Sequence, residues 1–238
     1  MITPNRPKET AKAVDPALPK FEVNNTRNHP ALVSFMTIRR CIGWIGMLLP
    51  FALLTGALLL GCEQMQPSIS AYYYTRVGVL FTGSLCAVGL FLVTYKGFGK
   101  WDDAATNIAG ALAFAVALFP TGGVPGNPCN IYAVGYPTYI SVIHYASAGL
   151  FFATLSFISY FLFTQSDGNV TENKRRRNMI YRTCAVLMVI FAGMIPLLRW
   201  DPLQETVAPY NPTFWLECGA LVSFGVSWLV KGEVILKG

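Results

Sequence analysis

Two ionisable residues lie inside otherwise apolar stretches of this chain, and they define the chemistry to look for. His144 enters the run 143–163, and Glu217 lies within the run 213–230. Ionisable groups in a hydrocarbon environment are costly, so each marks a site by default. Three hydroxyl-bearing residues stand at the ends of neighbouring apolar runs: Ser70, Tyr73 within Tyr72-Tyr73-Tyr74, and Thr121. Together these five can hold the polar end of a bound molecule, which makes them candidate ligand-binding residues. They are too few for a catalytic zinc, which takes three protein ligands plus a water. A haem between helices uses two facing histidines, and the other histidine, His29, lies in a polar tail. No metal, cofactor or catalytic residue is therefore expected. No HExxH, phosphate-binding loop or nucleophile elbow occurs either. Each residue also has a plain structural alternative. Asn211-Pro212 reads as a cap and first helical residue, which sets Glu217 near a helix's positive end or beside Arg199. His144, three residues beyond Ser141 as a cap, can bond a serine or the backbone.

The elements that must position these residues follow from composition. Of 238 residues, 53% are hydrophobic and 13% are charged, against about 25% charged in a soluble domain. The apolar residues come in blocks, which excludes a soluble enzyme, a disordered chain and a coiled coil. A membrane-crossing helix needs ~20 apolar residues. Six stretches qualify, over about 41–61, 77–95, 104–119, 143–163, 179–198 and 213–230, the third borrowing Trp101, Asp102 and Asp103 as its first turn. The expected fold is all-α: a polytopic six-transmembrane-helix bundle over 33–238, preceded by a flexible polar tail over 1–32. Residues Leu32 to Met36 read as a short interfacial helix.

With six crossings, every Lys and Arg except Arg76 and Arg199 falls on one side. Basic loops stay in the cytoplasm. Both termini are thus expected there, in a bacterial inner membrane or a plasma membrane. The run Lys174-Arg175-Arg176-Arg177 is a topology signal that also suits contact with anionic lipid head groups. It has no groove-reading or stacking companions, so nucleic acid is not an expected partner.

Cys62 and Cys129 fall in the first and third loops, both on the non-cytoplasmic side, and are expected to form a disulfide there. Cys218 is a rival partner near the same surface, and lipidation of Cys62 after the Leu59-Leu60-Gly61 box is a further alternative. The third loop, 120–142, carries Gly122, Gly123, Pro125, Gly126, Pro128 and Pro137 with Tyr132, Tyr136 and Tyr139, and is expected to lie as a cap over the bundle. Ala105, Ala109, Ala113 and Ala117 recur every four residues as a helix-packing face.

Ser68-Ile69-Ser70, Ala117-Leu118-Phe119-Pro120-Thr121, Ile143-His144-Tyr145-Ala146-Ser147-Ala148 and Phe151-Phe152 resemble, in this order, a bacterial six-helix integral membrane family of unknown function. More distantly they are similar to the damage-regulated autophagy modulator membrane proteins. The resemblance spans about residues 40–232. It implies a six-helix bundle connected with membrane-lipid organisation, and supplies no catalytic residue. The expected function is binding of a lipid or other amphiphile in a pocket open to the non-cytoplasmic side. The alternatives are an accessory subunit packed against other membrane-protein subunits, and a lipid head-group hydrolase or transferase with His144 as acid or base.

Overall fold

The structure, a computed structural model, describes residues 30–97, 99–123, 126–132, 135–166, 168, 171–198 and 206–236. Most of the tail expected over 1–32 lies outside these residues, as do Arg199 and Asp201. The described part is all-helical, with no strand. Six α-helices follow in order: α1 Pro30–Leu59, α2 Gly78–Thr94, α3 Lys100–Leu118, α4 Thr138–Phe157, α5 Glu172–Leu197 and α6 Pro212–Lys231. The stretch read as a separate interfacial helix, Leu32 to Met36, is the opening of α1. Its Pro30 stands at the first position, where a missing N–H costs nothing.

Local chemistry sets the boundaries. α3 begins at Lys100, so Asp102 and Asp103 occupy the first turn, where the helix end favours negative charge. It stops ahead of Pro120, which has no N–H to continue it. α5 opens on Thr171, whose side chain accepts the Lys174 N–H at 3.2 Å. α4 runs on into a π-turn, Ile158–Leu162, closed by the Phe163 N–H on the Ile158 carbonyl at 2.9 Å. That extra residue per turn aims Ser159 inward, where its hydroxyl meets that of Ser227 at 2.7 Å.

Four helical segments, Phe35–Leu59, Thr138–Leu162, Glu172–Leu197 and Pro212–Lys231, are long and apolar enough to cross a membrane. That identifies an integral membrane protein. α2 is apolar but has 17 residues, and α3 carries its charges in the first turn. Both nevertheless present large apolar side chains outward, Val79 and Leu90 on α2, Ile108 and Leu118 on α3.

Each helix packs on its neighbours in the chain, and α6 returns along α1, so the six close into a ring. Small residues make the closest approaches. A Cβ on Gly225 of α6 would stand 2.7 Å from the Gly43 carbonyl oxygen of α1. Between α2 and α3, a Cβ on Gly110 would stand 2.7 Å from the Gly89 carbonyl oxygen. No side chain fits there, so these helices touch backbone to backbone. The alanine face of α3 is buried beside this contact.

The ring has two distinct ends. The loops after α1 and α3 meet the start of α6 at the capped end. The ends of α2 and α6 meet the starts of α1 and α5 at the basic end.

Candidate functional site

The capped end is tied together by several independent bonds. Cys62 and Cys129 form a disulfide across 67 residues, with Cα atoms 5.2 Å apart. Cys218 is buried and free. Beside the bridge, the Asn127 amide donates to the Gln66 side-chain oxygen at 2.8 Å. The Ile131 N–H donates to the Tyr74 carbonyl at 2.9 Å, and the Tyr74 hydroxyl donates to the Thr121 carbonyl. The described part of the third loop thus lies across the short 3-10 turn Ser70–Tyr74 of the first.

Glu217 projects from the second turn of α6 into this cap. Its carboxylate accepts the N–H of Ile69 and hydrogen bonds from the backbone and hydroxyl of Ser70. A helical turn leaves its first N–H groups without partners, and here an acid from another helix takes them. The start of α6 is served reciprocally, because the Phe214 N–H donates to the Pro67 carbonyl at 3.1 Å. Asn211 occupies the cap position with φ 48°, but its side chain makes no capping bond. The loop backbone does what that side chain was expected to do.

His144 is held just as firmly. Its Nδ1 lies 2.7 Å from the Phe119 carbonyl, and its ring also faces the Val116 carbonyl. Pro120 has no N–H to continue the ladder onto Val116, so that carbonyl is left open beside the ring. The imidazole from α4 bonds the carbonyl that follows α3, at Phe119. Ser141 is not a cap, because α4 begins three residues earlier, at Thr138. His144 is buried, so it positions the end of α3 as much as it faces any ligand.

Between these fixed groups lies a cavity of about 810 Å³. Ser70, Thr121, His144 and Glu217 line its polar side, while Phe152 and Ile195 are among its apolar walls. Residues far apart in sequence thus share one chamber. Tyr73 does not line it, contrary to expectation. Its ring packs edge-on against Tyr74 at 5.2 Å, and its hydroxyl bonds Tyr136. It belongs to the cap. Among the described residues no hydrogen bond joins His144 to Glu217, and no three His, Cys, Asp or Glu side chains converge as metal ligands. The chamber sets one carboxylate and several hydroxyl-bearing side chains, Ser70 and Thr121 among them, beside an apolar wall.

The basic run behaves differently from a uniform lipid-facing strip. Lys174 and Arg177, three apart and so on one helix face, turn inward. The Lys174 ammonium donates to the Phe163 carbonyl at 3.1 Å, and Arg177 reaches the Tyr181 hydroxyl at 3.3 Å and Glu233 at 3.6 Å. Arg175 and Arg176 stay exposed, Arg176 paired with Glu172 at 3.2 Å. Nearby, Arg39 and Lys231 are buried. Sequence reasoning counted these two only as topology signals. The available clue was that Lys231 directly follows an unbroken apolar run.

No family model, curated protein or solved structure matches the chain.

Proposed function

We propose that this is a six-span membrane protein with cytoplasmic termini, in a bacterial inner membrane or plasma membrane, that binds an amphiphile in the chamber at its capped end. The observation that carries this reading is the chamber itself: about 810 Å³ with polar groups on one side and apolar walls on the other. That lies within the size range of small-molecule sites. The polar end of the amphiphile meets Glu217 and Ser70, which favours a head group that donates hydrogen bonds. Its apolar part lies against Phe152 and Ile195. His144 and Thr121 shape the polar side, His144 by fixing the end of α3. The likeness to the six-helix family and to the autophagy-modulator membrane proteins is part of the same proposal.

The test is native mass spectrometry of protein released gently from its membrane, with lipid analysis of what stays bound. Wild type is expected to retain one amphiphile. Glu217→Gln should retain it more weakly, and Ala148→Trp, which fills the chamber, should lose it with the fold intact. Wild type that emerges intact and unliganded, or retention unchanged in Ala148→Trp, rules the reading out.

A further inference from the structure

The chamber at the capped end has a side opening between two membrane-crossing helices. We propose that its ligand is a bilayer lipid, held with its head group at Glu217 and Ser70 and with an acyl chain leaving between α4 and α5 into the hydrocarbon. This rests on the reading of the chamber as an amphiphile site, and it names the class of amphiphile.

α5 changes character along its length. Its buried residues, Tyr181, Cys184, Ala185 and Met188, come first, and from Val189 to Leu197 none is buried. Within that last stretch the Phe191 ring packs on α6, where a Cβ on Gly219 would stand 2.7 Å from it. The end of α5 is thus held on its α6 side. Towards α4 the packing is open. A Cβ added at Gly149 of α4, or at Gly193 of α5, would meet no neighbouring segment within 4 Å.

The chamber reaches this gap. Ala148, Gly149 and Phe152 of α4 line it, with Ala192, Ile195 and Pro196 of α5. None of the six is buried, and Gly149 and Pro196 are exposed. On the polar side, by contrast, Ser70, Thr121 and His144 are all buried. Lining residues that are themselves exposed mark a mouth, and buried ones a closed wall.

The position of the mouth fixes what lies outside it. Gly149 stands close to the middle of the membrane-length segment Thr138–Leu162, about 16 Å along the helix from its first residue. A hydrocarbon core is about 30 Å thick, so acyl chains, not water, face the opening. The surrounding side chains agree: Leu150 on α4 and Val189, Ile190 and Met194 on α5 are apolar and exposed. From His144 to Phe152 the chamber extends about 12 Å along α4. A chain running down that wall from a head group at Glu217 arrives at Gly149 and passes into lipid without exposing apolar surface to water.

The test places the full chain in nanodiscs of phosphatidylcholine, phosphatidylethanolamine and phosphatidylglycerol in equal parts, and reads what stays bound on release by native mass spectrometry. Gly149→Phe narrows the mouth at an exposed position. Leu150→Phe is its control, because Leu150 is exposed and does not line the chamber. Wild type and Leu150→Phe should retain a long-chain lipid equally. Gly149→Phe should retain about tenfold less, the scale of displacing roughly two methylene groups. Dihexanoylphosphatidylethanolamine, offered in detergent, has chains short enough to end inside the chamber, and all three proteins should retain it to the same extent. Long-chain retention that Gly149→Phe leaves unchanged overturns the side opening and leaves the chamber reading standing, as does a wild type that holds only the short-chain form. Equal loss of both lipids in Gly149→Phe also overturns the opening, because the chamber itself is then damaged. A wild type that retains neither lipid overturns both readings.

Discussion

At the capped end an acid, an imidazole and a phenol are tied to backbone groups of other segments, whereas at the basic end two buried cations, Arg39 and Lys231, lie against aromatic rings. Glu217 takes the N–H groups of Ile69 and Ser70, His144 bonds the Phe119 carbonyl after α3, and a disulfide pins the loops. Across the ring, Arg39 has no acid within ion-pair distance among the described residues, and its Nε is idle. The contrast separates two ways of placing polar groups in a membrane protein. One end uses them to frame a chamber with one polar side and apolar walls. The other holds buried cations against aromatic faces and carbonyl oxygens.

That contrast can be broken first at the disulfide. Replacing Cys62 and Cys129 together by serine should cost about 2–4 kcal/mol, because the closed loop is long. Reversible denaturation with and without reductant measures it, and the loss should be confined to the oxidised wild type. Next in size is His144→Leu, which leaves the Phe119 carbonyl without its donor. A buried unmet acceptor costs about 1–3 kcal/mol, and His144→Gln, which keeps an N–H, should recover part of it. Equal loss in both variants would remove the capping role.

Tyr74 gives a smaller and pH-dependent effect. Burial, together with neighbouring tyrosines, pushes its hydroxyl up to about 12 from an ordinary value near 10. The neutral form is therefore favoured in the fold. Its contribution is fully present below about pH 10 and falls as pH rises from there toward 12, because the unfolded chain ionises first. Tyr74→Phe should lose about 1 kcal/mol at neutral pH and show a shallower decline above pH 10. Denaturation midpoints on both sides of that pH read this out. Smallest of all is Arg176→Ala at the basic end. Its exposed pair with Glu172 is worth about 0–1 kcal/mol, so a thermal midpoint close to wild type is expected.

The sequence made some of this legible for clear reasons. Apolar blocks announce helices because length and hydrophobicity act within one segment, and the alanine spacing on α3 announces a packing face. The gathering of Ser70, Thr121, His144 and Glu217 at one depth followed from helix direction alone. What stayed hidden depends on contacts between segments. Nothing near Glu217 indicates that a loop 148 residues earlier supplies its donors. Tyr73 could be placed at the right depth but not on the right side of the cap. The inward turn of Lys174 and Arg177 needs the helix phase, and the π-turn after Phe157 has no marker in Ile158–Leu162.

The most direct measurement is an electron cryo-microscopy map of the full chain in nanodiscs of its native lipid. The account predicts continuous density for one amphiphile, running from Glu217 and Ser70 to Phe152. A chamber that is well resolved yet holds only ordered water, with Glu217 still bonded to Ile69, would contradict it.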